Sequence, residues 1–85
     1  MSIRNLINEL IKTNRDLDGQ LQLINGLLQE VEKVKNELRT NFQGSDTMGK
    51  LLSSLENTRN ILKNTDAEIR KSQEKLRNLQ AKLRG

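Results

Sequence analysis

Apolar residues in the first half of the chain return at alternating steps of four and three. They fall at Ile3, Ile7, Leu10, Leu17, Leu21, Ile24, Leu28, Val31, Leu38 and Phe42, and Asn14 and Lys35 are the two breaks in the series. A period of 3.5 residues is that of a helix laying a narrow stripe against a neighbouring helix. The second half repeats it. Met48, Leu55, Leu62, Ile69, Leu76 and Leu83 recur every seven residues, and the interleaved position reads Leu51, Thr58, Thr65, Ser72 and Leu79. Thr58, Thr65 and Ser72 either weaken a solvent-facing stretch or let the two helices approach closely, and because they fall on this seam and not on the outer face, the pattern predicts close approach.

Between the halves, Phe42-Gln43-Gly44-Ser45-Asp46-Thr47 places a helix stop directly before a helix start. Gly44 suits a left-handed C-terminal cap, and Ser45 or Asp46 can accept from the free N–H groups of the next helix. A short connection joins antiparallel neighbours. The sequence therefore predicts an all-α fold, an antiparallel two-helix hairpin. It reads as one domain over 1–85, with arm 1 about 2–42, the turn at 43–45 and arm 2 about 46–84. Arms of about 40 residues are roughly 60 Å long at 1.5 Å per residue. If facing residues have numbers adding to 89 or 90, Leu38 meets Leu51, Leu28 meets Leu62, Ile24 meets Thr65, Leu21 meets Ile69, Leu17 meets Ser72, Leu10 meets Leu79 and Ile7 meets Leu83.

Further apolar residues lie beside the seams. Leu6, Leu27 and Val34 occupy one flank of the first arm and Ile11 the other, while Leu52 and Ile61 lie beside the second seam. Taken singly, each fits a widened intramolecular stripe as well as a partner contact. Taken together they point to a partner-binding surface, and to a homodimer or heterodimer forming a four-helix bundle.

The polar positions divide more quietly. Asn14 reads as a solvated residue near the open end of the hairpin, with the fixing of register as its other role. Lys35 faces Leu55 in the predicted register and reads as a snorkelling side chain, with a salt bridge to a partner carboxylate as the alternative. Gly19 and Gly26 fall on the outward face as weak points in the helix, or as a shallow groove for another backbone.

Composition removes most other functions. The 85 residues contain no Cys, His, Trp, Tyr or Pro. Without His or Cys there is neither a Ser-His or Cys-His nucleophile pair nor a zinc site of the usual kind, and Ser53-Ser54 has no base to activate it. Asp16 and Asp18 lack the spacing of a calcium loop, and no glycine-rich phosphate cradle is present. The expectation is no enzyme, no catalytic residue, no metal and no cofactor. The longest apolar run is two residues, as at Leu27-Leu28, which excludes membrane insertion by a helix. The first 20 residues lack the features of a secretory signal, so the sequence predicts a cytoplasmic protein or one exported by a signal-peptide-independent route.

Charge is uneven. The net +4 belongs to the second arm, whose end carries Arg70, Lys71, Lys75, Arg77, Lys82 and Arg84. Glu68 and Glu74 interrupt these cations and no aromatic stands among them to stack on bases, so the stretch reads as a solvated face complementing the helix dipole, and not as a nucleic-acid site.

Arms of matched length joined by an aromatic-x-Gly turn resemble the WXG family of small helical hairpins of type VII secretion, with Phe42-Gln43-Gly44 at the Trp-x-Gly position. The resemblance covers nearly the whole chain, on a motif of three residues with Phe in place of Trp. It implies that Phe42 and Gly44 form the turn motif, that Met48, Leu51, Leu52 and Leu55 continue as the second helix, and that members pair into four-helix bundles. Members carrying the export signal have a Tyr-x-x-x-Asp/Glu element after the second helix. This chain has no aromatic beyond Phe42, and the resemblance then places the signal on a partner. That is the arrangement of the WXG-like helpers that escort LXG toxins through their helical N-terminal domains. The implied partner is an LXG-type effector or another WXG-like protein, met through Leu6, Leu27, Val34, Leu52 and Ile61. The reading from another class is a self-assembling homodimeric coiled-coil scaffold.

Overall fold

The structure is a computed structural model and describes residues 2–41 and 43–85. It is an antiparallel hairpin of two helices, α1 (Ile3–Asn41) and α2 (Asp46–Arg84). Its long dimension is 62 Å and its cross-section 16 by 15 Å. This matches the length that helices of 39 residues have at 1.5 Å per residue.

Both helix starts are capped by serine. The Ser2 hydroxyl accepts from the Asn5 N–H at 3.1 Å, and the Ser45 hydroxyl accepts from the Met48 N–H at 3.0 Å. Each satisfies one of the donors that a helix N-terminus leaves free. Gly44 takes φ +84°, the left-handed conformation that turns the chain out of α1. Phe42, the aromatic of the expected turn motif, lies outside the described residues.

From Ile7 to Leu38 the stripe of α1 faces α2 as its spacing predicts, whereas Ile3, expected at its start, is 60% exposed. Leu10, Ile24, Val31 and Lys35 are buried, and Ile7, Asn14, Leu17, Leu21, Leu28 and Leu38 are half-buried. On α2 the stripe is rotated by one residue from the expectation. Its inward row is Met48, Leu52, Leu55, Arg59, Leu62, Asp66, Ile69, Gln73, Leu76, Gln80 and Leu83, whereas Leu51, Thr58, Thr65, Ser72 and Leu79 are exposed. The pairs expected at Leu51, Thr65, Ser72 and Leu79 are thus not formed, since these four are exposed and Leu52, Asp66, Gln73 and Gln80 turn inward in their place. Leu28, Leu21 and Ile7 on α1 and Leu62, Ile69 and Leu83 on α2 all lie on the inward rows. The expected close approach at Thr58, Thr65 and Ser72 is absent. Thr58 and Thr65 turn their hydroxyls back to the carbonyls of Ser54 (3.1 Å) and Ile61 (2.9 Å) on their own helix.

Candidate protein-interaction face

Two polar clusters interrupt the seam and make its sides unlike. Near the open end, the Gln73 amide donates to the Asp18 carboxylate at 2.7 Å and to the Asn14 backbone carbonyl at 3.2 Å, and the Asn14 amide donates to the Gln73 carbonyl at 3.4 Å. Asn14 is therefore engaged across the seam and not solvated as its position suggested, and its Oδ1 is buried without a partner. Nearer the turn, the Lys35 ammonium lies 2.9 Å from Glu56 and 3.6 Å from Glu32. Arg59 reaches the same two carboxylates at 3.1 and 3.6 Å. Lys35 does not snorkel to solvent. It is 9% exposed, held by an intramolecular pair of acids, because the rotated stripe brings Glu56 and Arg59 beside it instead of Leu55. The Lys35 hydrogen bond, opposed by desolvation, pulls the Glu56 carboxyl below its ordinary value, and the charges of Lys35 and Arg59 add to this.

These clusters define one flank. Alongside the seam it carries Ile11, Asp18, Asn25, Glu32 and Arg39 from α1, and Gly49, Glu56, Lys63, Arg70, Arg77 and Arg84 from α2. A shallow groove of about 610 Å³ opens on it, lined by Leu28, Lys33, Asn36, Arg59 and Lys63 among others. Ion pairs within the hairpin occupy Arg59 and Glu32, so its chemistry is that of a solvated surface.

The opposite flank is different in kind. In an antiparallel pair the rows immediately beside the seam on this side are Leu6, Thr13, Gln20, Leu27, Val34 and Asn41 on α1, and Leu51, Thr58, Thr65, Ser72 and Leu79 on α2. None of these eleven residues is charged, although 31% of the chain is. Leu23 and Ile61 extend the apolar surface one row outward, at 60% and 64% exposure. The strip mixes Leu and Val with Thr, Ser, Asn and Gln and carries no charge, a composition compatible with packing against another helix.

The expected partner-binding residues now separate. Leu27, Val34 and Ile61 are exposed on the uncharged side, and Leu6 is half-buried at its open end. Ile11 is half-buried on the charged flank. Leu52, expected beside the seam, is half-buried on the inward row of α2. Leu23, Leu51 and Leu79 are exposed apolar residues that the flank assignment missed. Correct placement of the α2 stripe is the signal that finds Leu51 and Leu79.

Among the described residues no group of three metal-ligating side chains comes together, and no helix is long and apolar enough to cross a membrane. Gly19 and Gly26 face open space, with nothing within 4 Å of an added methyl group. Against protein-family models, curated proteins and solved structures, the chain finds no match.

Proposed function

We propose that this chain is a protein-binding module whose uncharged flank packs against the helices of a partner. In its specific form it is a WXG-like helper of type VII secretion that pairs with the helical N-terminal domain of an LXG-type effector or with a second WXG-like protein. The observation that carries the binding reading is the coexistence of a thin core and an uncharged flank. Only Leu10, Ile24 and Val31 are buried apolar residues among those described, while Leu23, Leu27, Val34, Leu51, Ile61 and Leu79 stay exposed. A hairpin with that distribution gains stability when a partner covers the flank, by RT ln(1+[L]/Kd). The secretion assignment rests on the Phe42-Gln43-Gly44 motif between arms of matched length.

The test is the mass of the purified protein in solution, alone and co-expressed with the products of its neighbouring open reading frames. A stable complex with a larger helical protein, lost in Leu27→Glu and Ile61→Glu, supports the helper. A homodimer that ignores every neighbour supports the scaffold and removes the secretion role.

A further inference from the structure

The uncharged flank is bordered on one side by an acidic row and on the other by a row that ends in two lysines. The next row outward on α1 reads Glu9, Asp16, Leu23, Glu30 and Glu37, and on α2 it reads Ser54, Ile61, Glu68, Lys75 and Lys82. Glu9, Asp16, Lys75 and Lys82 are exposed, and among the described residues none of them has an ion-pair partner in the hairpin. We propose that a second copy of this chain occupies the flank, related by a two-fold axis along the long dimension of the hairpin. Both turns then lie at the same end, and α1 of each copy packs on α2 of the other. The proposal rests on the uncharged flank being a helix-packing face, and it names the second hairpin of the preceding reading as another copy of this chain.

The charge pattern selects this axis. In the hairpin, levels match where residue numbers add to about 90, and a two-fold axis along the hairpin preserves level. Glu9 of one copy therefore meets Lys82 of the other, and Asp16 meets Lys75, each offset by one residue or about 1.5 Å along the axis. Both pairs occur twice, and no like charges face each other, because Leu23 stands opposite Glu68 and Glu30 opposite Ile61. The other face-to-face arrangement turns one copy end for end and lays α1 on α1. There Glu9 would meet Glu37, Asp16 would meet Glu30 and Glu68 would meet itself, and like charges across an interface disfavour that partner. The size is also sufficient. A face of 62 by 16 Å covers about 1,000 Å² on each copy, which puts the buried total at the upper end of the roughly 1,200–2,000 Å² of stable interfaces.

Two charge-reversed variants and their mixture provide the test, since every position changed is exposed and lies outside the seam. Lys75→Glu/Lys82→Glu and Glu9→Lys/Asp16→Lys are each expected to weaken self-association by on the order of tenfold or more. Mixed one to one, they should form a heterodimer at least as tight as the wild type. A spin label at Gln43→Cys, in a chain with no other cysteine, should report a label-to-label distance under about 30 Å, because both turns share an end. Tighter self-association of Glu9→Lys/Asp16→Lys, or labels about 60 Å apart, would overturn the axis. A wild-type monomer that still binds a neighbouring gene's helical product, with loss of binding in Leu27→Glu, removes the second copy and leaves the face standing. A monomer for which Leu27→Glu changes no interaction removes both.

Discussion

Gln73 on α2 donates its side-chain amide to the Asp18 carboxylate of α1 at 2.7 Å, and it is the least exposed polar residue of the described chain, at 5%. The same amide reaches the Asn14 carbonyl, so one side chain ties two turns of α1 to α2 midway between the open end and the centre. Truncation to Gln73→Ala removes both bonds and the contacts of the side-chain stem. A loss of about 1–3 kcal/mol is expected in urea denaturation. Gln73→Leu should recover most of it, because Asp18 is exposed and rehydrates once the amide is gone. Equal losses for Ala and Leu would mean that the hydrogen bonds outweigh packing at this layer.

The turn is a second point of leverage. Gly44 sits at φ +84° with open space around its α-carbon, so any side chain there meets only the backbone penalty of the left-handed region. Gly44→Ala should cost about 1 kcal/mol, and Ser45→Ala, which deletes the cap on the Met48 N–H, about the same. The sites adjoin, so the double variant is the informative measurement. A double loss well below the sum would show that turn and cap form as one unit.

The α1 stripe from Ile7 to Leu38, the left-handed Gly44 and the Ser45 cap could be read directly from the sequence, since apolar spacing and capping residues determine them. The α2 stripe could not be placed from hydrophobicity alone. Its true interleaved row, Leu52, Arg59, Asp66, Gln73 and Gln80, is mostly charged or amide, and the competing row, Leu51, Thr58, Thr65, Ser72 and Leu79, is the more apolar. What decides between them is pairing. The α1 stripe breaks at Asn14 and Lys35, and each buried polar group needs a partner on the facing helix. Only the rotated row places Gln73 beside Asn14, and Glu56 and Arg59 beside Lys35. The same rotation puts Leu51, Leu79 and the threonines on the uncharged flank, so the error in register and the missed surface residues share one cause.

Gly19 and Gly26 lie on the exposed face of α1 with nothing within 4 Å of an added methyl, seven residues or about 10 Å apart. Each Ala substitution should stabilise the hairpin by about 1 kcal/mol, and at that separation the two gains should add. Thermal or urea unfolding of the single and double variants tests this. Self-association and partner binding should stay unchanged, since both residues point away from the uncharged flank. A weakened complex in the double variant would instead make the two glycines a groove for another backbone.

Glu56 gives the hairpin an acid-sensitive element. Its carboxyl titrates below the ordinary value of 4.5, chiefly through the Lys35 hydrogen bond. A group whose folded-state value is lowered contributes stability in full above its unfolded value, and loses it as pH falls through the folded one. The Lys35 contact therefore supports the hairpin in full at neutral pH, and its contribution declines as pH falls from the ordinary value of 4.5 through the lower folded-state one. In Glu56→Gln, Lys35 keeps only Glu32 at 3.6 Å, and Arg59 likewise keeps only Glu32 at 3.6 Å. The variant should melt below the wild type at pH 7, and the difference should shrink as pH falls from 5 toward 3. Melting curves by circular dichroism across that range check both parts. A difference constant with pH would show that Glu56 acts through packing of its stem and not through its charge.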